Sequence, residues 1–499
     1  MRRVFRILVI VSAFASYPAV AQDNTDHELD DLSDDITFMA TKYGAPGVSV
    51  SVIADDKIIY TYTMGHADLE TARPVEHETQ FGIGSVVKSF TSALIGQLAS
   101  EGQLDLDASP AEYVPGLEFG DAGLSRDLTI RNLLSQTSGL PNIDGSTTFF
   151  PPETQAELAP RLVNFPASCR VGDCWAYNNL NFIMLDMVAE SVTGQSKTTL
   201  ITERLFAPIG MAGSLSATEQ FMASRNAAVG YVSRSGKMER TAVERLFGEH
   251  VYATAPDMAR WLGMWMSDGQ TAEAKIVPTD YAKQALSMQA IENGSVPDAD
   301  EPNIYLFGYG YGWQIKSVEG NYVVHHGGNE NGFSTHVMMV PAKNIGIVVL
   351  TNQQDSVLPY VVTDMIMRKM LGLTAGELSQ YPVIVRDAGP LAEPGAELQL
   401  DESDPLALKP ASLSGTYEAA GYGQIHVHYE DKRLVLTTPG DEFSLKHLGG
   451  SRFGLTASQP PTAGIEVDYF EVDFGPDSGT PQSLTFNIAA APVVFKRAG

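Results

Sequence analysis

The sequence predicts an α/β molecule with an appended all-β module, and three observations carry that prediction. Runs of β-branched residues occur near the start and again after residue 300, helical periodicity fills the stretch between them, and the last ninety residues alternate polar with apolar. Strands at both ends with helices between them argue for one α/β (α+β) domain whose sheet is completed by its N- and C-terminal parts. The chain has 499 residues, 44% of them hydrophobic and 19% charged, enough for one large core and a smaller module. Its 45 glycines and 28 prolines are too scattered for a collagen-like tract, and 9% aromatic residues exclude general disorder. Sixty acidic residues against 33 basic ones give a formal charge of -27, and no basic patch offsets it, so nucleic acid is excluded as a partner.

In chain order, Met1-Arg2-Arg3, the apolar stretch from Val4 to Ala15 and the small-x-small site Ala19-Val20-Ala21 read as a secretory signal peptide over 1–21. That predicts a periplasmic or secreted protein. The apolar run is broken by Arg6 and too short for ~30 Å of hydrocarbon, and no later segment reaches ~18 consecutive apolar residues. No membrane span is therefore expected once the signal is removed. Residues 22–36 are an acidic lead into a first helix. GVSVSVIADDKIIYTYTMG then reads as a hairpin turning at Asp55-Asp56, and Ser85 to Leu98 as a helix stopped by Gly102. IRNLLSQ, FIMLDMVAESV, TTLITERLFAPIG and APDMARWLGMWMSDG give a mostly helical middle. YLFGYGYGWQI, YVVHHGG, STHVMMV and NIGIVVLTN return to strands before a helix-like stretch from Leu358 to Leu371. These elements form the domain placed at 37–375. Residues 376–410, with Pro382, Pro390, Pro394, Pro405 and Pro410, have linker composition, and 411–499 read as a small barrel or sandwich.

Several short motifs carry chemistry. Ser85 and Lys88 lie one helical turn apart at a helix start, on one face. A serine hydroxyl needs a base, and lysine serves once burial lowers its pKa by ~3 units from about 10.4, at a cost of about 4 kcal/mol. Taken alone, the tetrapeptide also reads as a helix start with a surface lysine. WAYNNLNF contains Tyr177 and Asn179, a phenol able to relay protons and an amide able to hold a carbonyl or the lysine; its plain reading is a tight loop before a helix starting near Phe182. HHGGNENGFS contains His326 and Gly328, where glycine permits close backbone approach, or simply a glycine-rich turn. The two cysteines, Cys169 and Cys174, are five apart and suit a local disulfide in an oxidising compartment, free thiols being the alternative. No further Cys or His stands near them to complete a zinc site, no metal signature such as H-E-x-x-H appears, and no G-x-S-x-G elbow surrounds a serine.

The order of S-x-x-K, Y-x-N and H-x-G resembles the active-site-serine superfamily of penicillin-binding proteins and class C-type β-lactamases. LLSQTSGLP at 133–141, ERLFAPIGM at 203–211, ATAPDMARWL at 253–262 and GGNENGFSTHVMMVPAKNIGIVVLTN at 327–352 share the likeness, which covers about 37 to 372. The resemblance implies a β-lactamase/transpeptidase-like antiparallel sheet flanked by helices, with a mostly helical subdomain. It implies Ser85 as acylated nucleophile, Lys88 as its base, Tyr177 as proton shuttle and Asn179 as a substrate contact. It also implies His326 in the place of the lysine of K-T-G members, and an oxyanion hole from the backbone N–H groups of Ser85 and Asn329. No cofactor is needed. Gln136 stands where relatives often carry histidine, a structural change. Histidine at 326 grips a substrate carboxylate less firmly than an ammonium, which favours D-aminopeptidase-, peptidase- or carboxylesterase-like hydrolysis of a small-molecule or peptide substrate over D,D-carboxypeptidase or β-lactamase activity. A catalytically silent binding protein is the alternative of another class. The C-terminal module resembles a lipocalin-like domain, there to cap the fold, to make a homo-oligomer contact or to narrow the site.

Overall fold

The computed structural model describes residues 29, 31–141, 149–150, 158–162, 165–234, 237–241, 250–294, 296, 304–374, 406, 408–419, 422–439, 442–457, 470–475, 479–488 and 492–498. The expected signal peptide 1–21, most of the acidic lead 22–36, and residues 376–405 of the expected linker lie outside the described residues.

Among the described residues, nine strands form one antiparallel sheet: β1 (Gly47–Ala54), β2 (Lys57–Asp68), β3 (Arg73–Pro74), β4 (Ala290–Asn293), β5 (Ile304–Tyr309), β6 (Gln314–Val318), β7 (Asn321–Glu330), β8 (Phe333–Val340) and β9 (Ile345–Thr351). Their spatial order is β3-β2-β1-β9-β8-β7-β6-β5-β4. The expected hairpin is present, with Asp55 and Asp56 both at positive φ (47° and 61°), the two-residue turn whose twist matches the strands. β1 also pairs with β9, from Val48 opposite Thr351 to Ala54 opposite Ile345, so the two ends of the domain complete one sheet. β1 and β9 are buried on both faces, which explains their continuous apolar runs.

Helix α1 (Leu32–Lys42) and helix α5 (Leu358–Met370) cover one face through Leu32, Ile36, Met39, Val361 and Ile366. The other face carries α2 (Val87–Ser100) and α4 (Ala255–Met266). Phe90 of α2 stacks on Trp261 of α4 at 3.9 Å between ring centroids, and the Trp261 indole N–H donates to Ser89 Oγ at 2.9 Å. Helix α3 (Asn179–Thr193) packs beside α2. TTLITERLFAPIG, expected as one helix, is interrupted: Thr202–Phe206 has π-helical bonding between Lys197–Ile201 and Ala207–Ile209. Pro208 has no N–H to give to the Arg204 carbonyl. That carbonyl instead accepts from Gln97 Nε2 at 3.4 Å.

The C-terminal strands, from Gly415–Ala419 to Val493–Arg497, form a closed barrel of eight among the described residues, sealed by the pairing of Tyr417 with Arg497. The sequence left barrel and sandwich open; closure removes both sheet edges.

Candidate active site

Ser85 lies in the short 3-10 turn Gly84–Val86 that opens α2. Gly84 has φ +49°, and a Cβ there would stand 2.6 Å from the Asn329 backbone nitrogen, so glycine is what lets this turn run against β7. One turn along, Lys88 is buried; its Nζ donates to Ser85 Oγ at 3.2 Å and to Asn179 Oδ1 at 2.7 Å. The ammonium position also lies 4.7 Å from the centre of the Tyr177 ring and 5.7 Å from that of Phe182.

The opposite wall is the end of β7. β6 pairs with β7 only as far as His325, so from His326 to Glu330 that edge is not taken by a strand among the described residues. The serine turn comes up to it there. A Cβ on Gly328 would stand 1.9 Å from the Ile83 carbonyl oxygen. The room left by glycine is thus filled by the protein's own backbone, on which the separation of Ser85 and β7 depends. Asn329 has its side chain occupied elsewhere, donating to Asp355 and accepting from Ser334 Oγ and the Asp355 N–H, both at 2.9 Å.

His326 is 1% exposed. Burial, with the charge of Lys88 second, pushes its imidazole down to about 3, so it is neutral at pH 7. Its tautomer follows from its partners. Nδ1–H donates to the Gly327 carbonyl at 2.6 Å, which leaves Nε2 to accept from the Tyr309 hydroxyl at 3.3 Å. Burial, then the neighbouring Tyr177, holds the Tyr309 phenol well above its usual range, so it keeps the proton it donates. The Tyr177 ring lies 6.2 Å from His326 and 6.3 Å from Tyr309 between centroids. Ser85, Lys88, Tyr177, Asn179, His326, Gly328 and Asn329, spread over 245 positions of sequence (85 to 329), therefore meet at one place.

Sequence reasoning started the helix of the Y-x-N segment near Phe182; it starts at Asn179, with Asn178 capping it by accepting the Leu180 N–H. Lys88 thus reaches a side chain in the first turn of α3. Of two supporting residues, Tyr309 went unassigned and Gln136 was read only as a structural change, without its contacts. Tyr309 sits in GYGYG, a run with no motif value, where Gly312 leaves room for the Lys88 carbonyl, 2.7 Å from the position of a Cβ. Buried Gln136, at φ +60°, accepts from the Asn178 N–H (3.0 Å) and Asn181 Nδ2 (2.5 Å). Its carbonyl also accepts the Ala176 N–H at 3.0 Å, so it holds the Y-x-N loop from both sides of Tyr177. Cys169 and Cys174 are bonded to each other, with Cα atoms 6.4 Å apart, on the approach to that loop.

The arrangement is a hydroxyl, an amine and a phenol beside a stretch of strand edge that no other strand takes among the described residues. Residues 23–368 match the family described as Beta-lactamase. The chain belongs to the beta-lactamase family. It is 27% identical over 390 residues to "Penicillin-binding protein 4" of Amycolatopsis lactamdurans, covering 77% of this chain and 96% of that protein. "Protein flp" of Staphylococcus aureus is 26% identical over 351 residues, 67% of this chain and 66% of its own length. Among solved structures, the octameric penicillin-binding protein homologue from Pyrococcus abyssi has TM-score 0.62 and 20% identity, covering 94% of this chain and all (100%) of that one. A class C beta-lactamase in complex with cefoxitin has TM-score 0.56 and 25% identity over 70% of this chain and 99% of its own. The protein is accordingly a beta-lactamase-related hydrolase with a penicillin-binding-protein-like fold and a C-terminal barrel.

Proposed function

We propose that the protein is an exported serine hydrolase that cleaves an amide or ester through a Ser85 acyl-enzyme, in the manner of a D-aminopeptidase, peptidase or carboxylesterase. The observation that supports this most is the Ser85–Lys88–Asn179 chain of contacts at 3.2 and 2.7 Å under the open edge of β7. Ser85 Oγ attacks the carbonyl carbon while its proton passes to Lys88 Nζ, which acts here in its neutral amine form. The carbonyl oxygen becomes an anion between the backbone N–H groups of Ser85 and Asn329. Tyr177, whose ring centre lies 4.7 Å from Lys88 Nζ, gives its hydroxyl proton to the leaving nitrogen or oxygen and takes the serine's proton from Lys88 in its place. Water then enters by the same route in reverse, attacking the ester carbon and releasing the acid and Ser85.

The choice of substrate class rests on His326. A buried neutral imidazole whose Nε2 accepts from Tyr309 has neither charge nor a spare N–H for a substrate carboxylate. That disfavours D,D-carboxypeptidase and β-lactamase action, the second reading, which the names of the relatives favour. A silent binding protein would have no need of Lys88 and Tyr177 beside one another. Export rests on the composition of residues 1–21, and a homo-oligomer on the octameric homologue from Pyrococcus abyssi.

The test is a substrate panel: a p-nitrophenyl ester, a D-amino-acid amide and a chromogenic cephalosporin, given to the wild type and to Ser85→Ala. Turnover of ester or amide that exceeds cephalosporin turnover, and that falls by at least about 10³-fold in Ser85→Ala, is expected. Equal turnover by both proteins would remove Ser85 as nucleophile, and cephalosporin as the best substrate would shift the assignment to the second reading.

A further inference from the structure

The C-terminal barrel grips the helical subdomain in a way the reaction above does not use. Phe149 is 1% exposed, and its ring meets Phe443, Phe470 and Phe486 of the barrel at 5.3, 4.8 and 5.0 Å between centroids. Phe150, also 1% exposed, meets Phe495 at 5.4 Å and Tyr422 at 5.5 Å, and Phe165 reaches Tyr422 at 6.1 Å. Buried Arg161 ties the same segment together, donating to the Phe150 carbonyl at 2.8 Å with its guanidinium 5.8 Å from the Tyr422 ring centre. Aromatic rings from the subdomain thus share one apolar core with the barrel.

Where this excursion is rooted gives the grip a consequence. Its two ends run side by side as a neck: the N–H groups of Ser168, Gly172 and Ala176 donate to the carbonyls of Gly139, Thr137 and Gln136 at 2.8, 2.9 and 3.0 Å. The Cys169–Cys174 bond lies within the neck, and a Cβ on Gly139 would stand 2.3 Å from the Cys169 carbonyl oxygen. Asn178 Nδ2 closes it from below, donating to the carbonyls of Leu140 (3.2 Å) and Pro141 (2.8 Å). The neck leads directly into Tyr177 and Asn179.

We propose that the barrel is a clamp, and that Phe149 and Phe150 are positioning residues: anchored in the barrel, they hold the neck and through it the Tyr177 hydroxyl over the leaving group. This rests on the reading of Tyr177 as the proton carrier. It predicts a selective defect. An amide nitrogen must be protonated to leave, whereas p-nitrophenolate leaves without a proton, so a displaced Tyr177 slows acylation of Ser85 by the amide and spares acylation by the activated ester.

The test uses the full chain carrying Phe149→Ser with Phe150→Ser, and a companion carrying Phe149→Leu with Phe150→Leu. In the serine pair, the single-turnover acylation rate with a D-amino-acid amide is expected to fall about 10- to 100-fold, that with the p-nitrophenyl ester, read as the burst of p-nitrophenolate, to stay within about threefold, and the leucine pair to recover most of the amide rate. Hydrogen exchange supplies a readout independent of turnover: the amides of Ser168, Gly172 and Ala176 should exchange faster in the serine pair, while those of β8 and β9 keep their protection. Equal loss of the ester and amide acylation rates, or neck amides unchanged from wild type, overturns the clamp. A wild type that cleaves neither substrate would count against the hydrolase reading, and the exchange data would then decide the clamp alone.

Discussion

His325, His326 and His336 are each buried and each driven below the usual histidine range, His326 to about 3. Burial is the main cause; the charge of Lys316 follows for His325 and His336, which share a contact at 3.2 Å, and that of Lys88 for His326. An unfolded histidine takes a proton near pH 6.5, and the folded ones refuse it until far lower pH. Their contribution to stability is therefore complete above about pH 6.5 and lost as pH falls below it, for His326 down to about pH 3, by up to about 1.4 kcal/mol per pH unit for each histidine. Urea midpoints at several pH values should fall accordingly, and His326→Asn should flatten the curve by one histidine's share. A second outcome concerns Gly328→Ala, which pushes a methyl against the Ile83 carbonyl. Backbone cannot yield as a side-chain tip does, so turnover should drop by about 100-fold with a stability loss of ~1–3 kcal/mol. Unchanged kcat in that variant would mean that the spacing of Ser85 and β7 is not critical. The residues that meet at the candidate site could be picked out from the sequence because S-x-x-K, Y-x-N and H-x-G are local patterns. Tyr309 and the grip of Gln136 were not, since their value comes only from neighbours 17 and 42 positions away, His326 and Asn178.

Helices were legible where the 3.6-residue period ran unbroken, as in α2 and α4, and less so where a tertiary contact intervened, as in the π-helical turn relieved by Gln97. Between helices, one buried pair carries much of the joint. Lys197 Nζ donates to Asp186 Oδ2 of α3 at 2.6 Å, and Thr91 Oγ1 of α2 donates to Asp186 Oδ1 at 2.8 Å. The two charged side chains are 3% and 6% exposed. Lys197→Met, which strands a buried carboxylate, should cost about 3–5 kcal/mol in chemical denaturation. Adding Asp186→Leu to it should restore most of that loss, and equal stability of the single and double variants would contradict the pairing. Strand order was hidden for another reason. Alternation marks a strand but not its partner, and for the last ninety residues it reads the same whether the sheet closes into a barrel or packs as a sandwich.

At the scale of the whole molecule, a formal charge of -27 repels itself in the compact state. Raising sodium chloride from ~0.01 M to ~0.15 M shortens the screening length from ~30 Å to ~8 Å. The thermal midpoint should rise with it, and a midpoint that stays flat or falls would show that local ion pairs outweigh the net charge. The linkage of distant segments in the sheet bears on how the chain is made. Val48 pairs with Thr351, 303 positions later. At ~5–20 residues per second, a ribosome delivers the second strand on the order of 15–60 seconds after the first. Through that interval β1 has its hairpin neighbour and no other strand, its second edge bare in a nascent chain. Whatever binds the growing polypeptide must keep that strand from finding a wrong companion until β9 arrives.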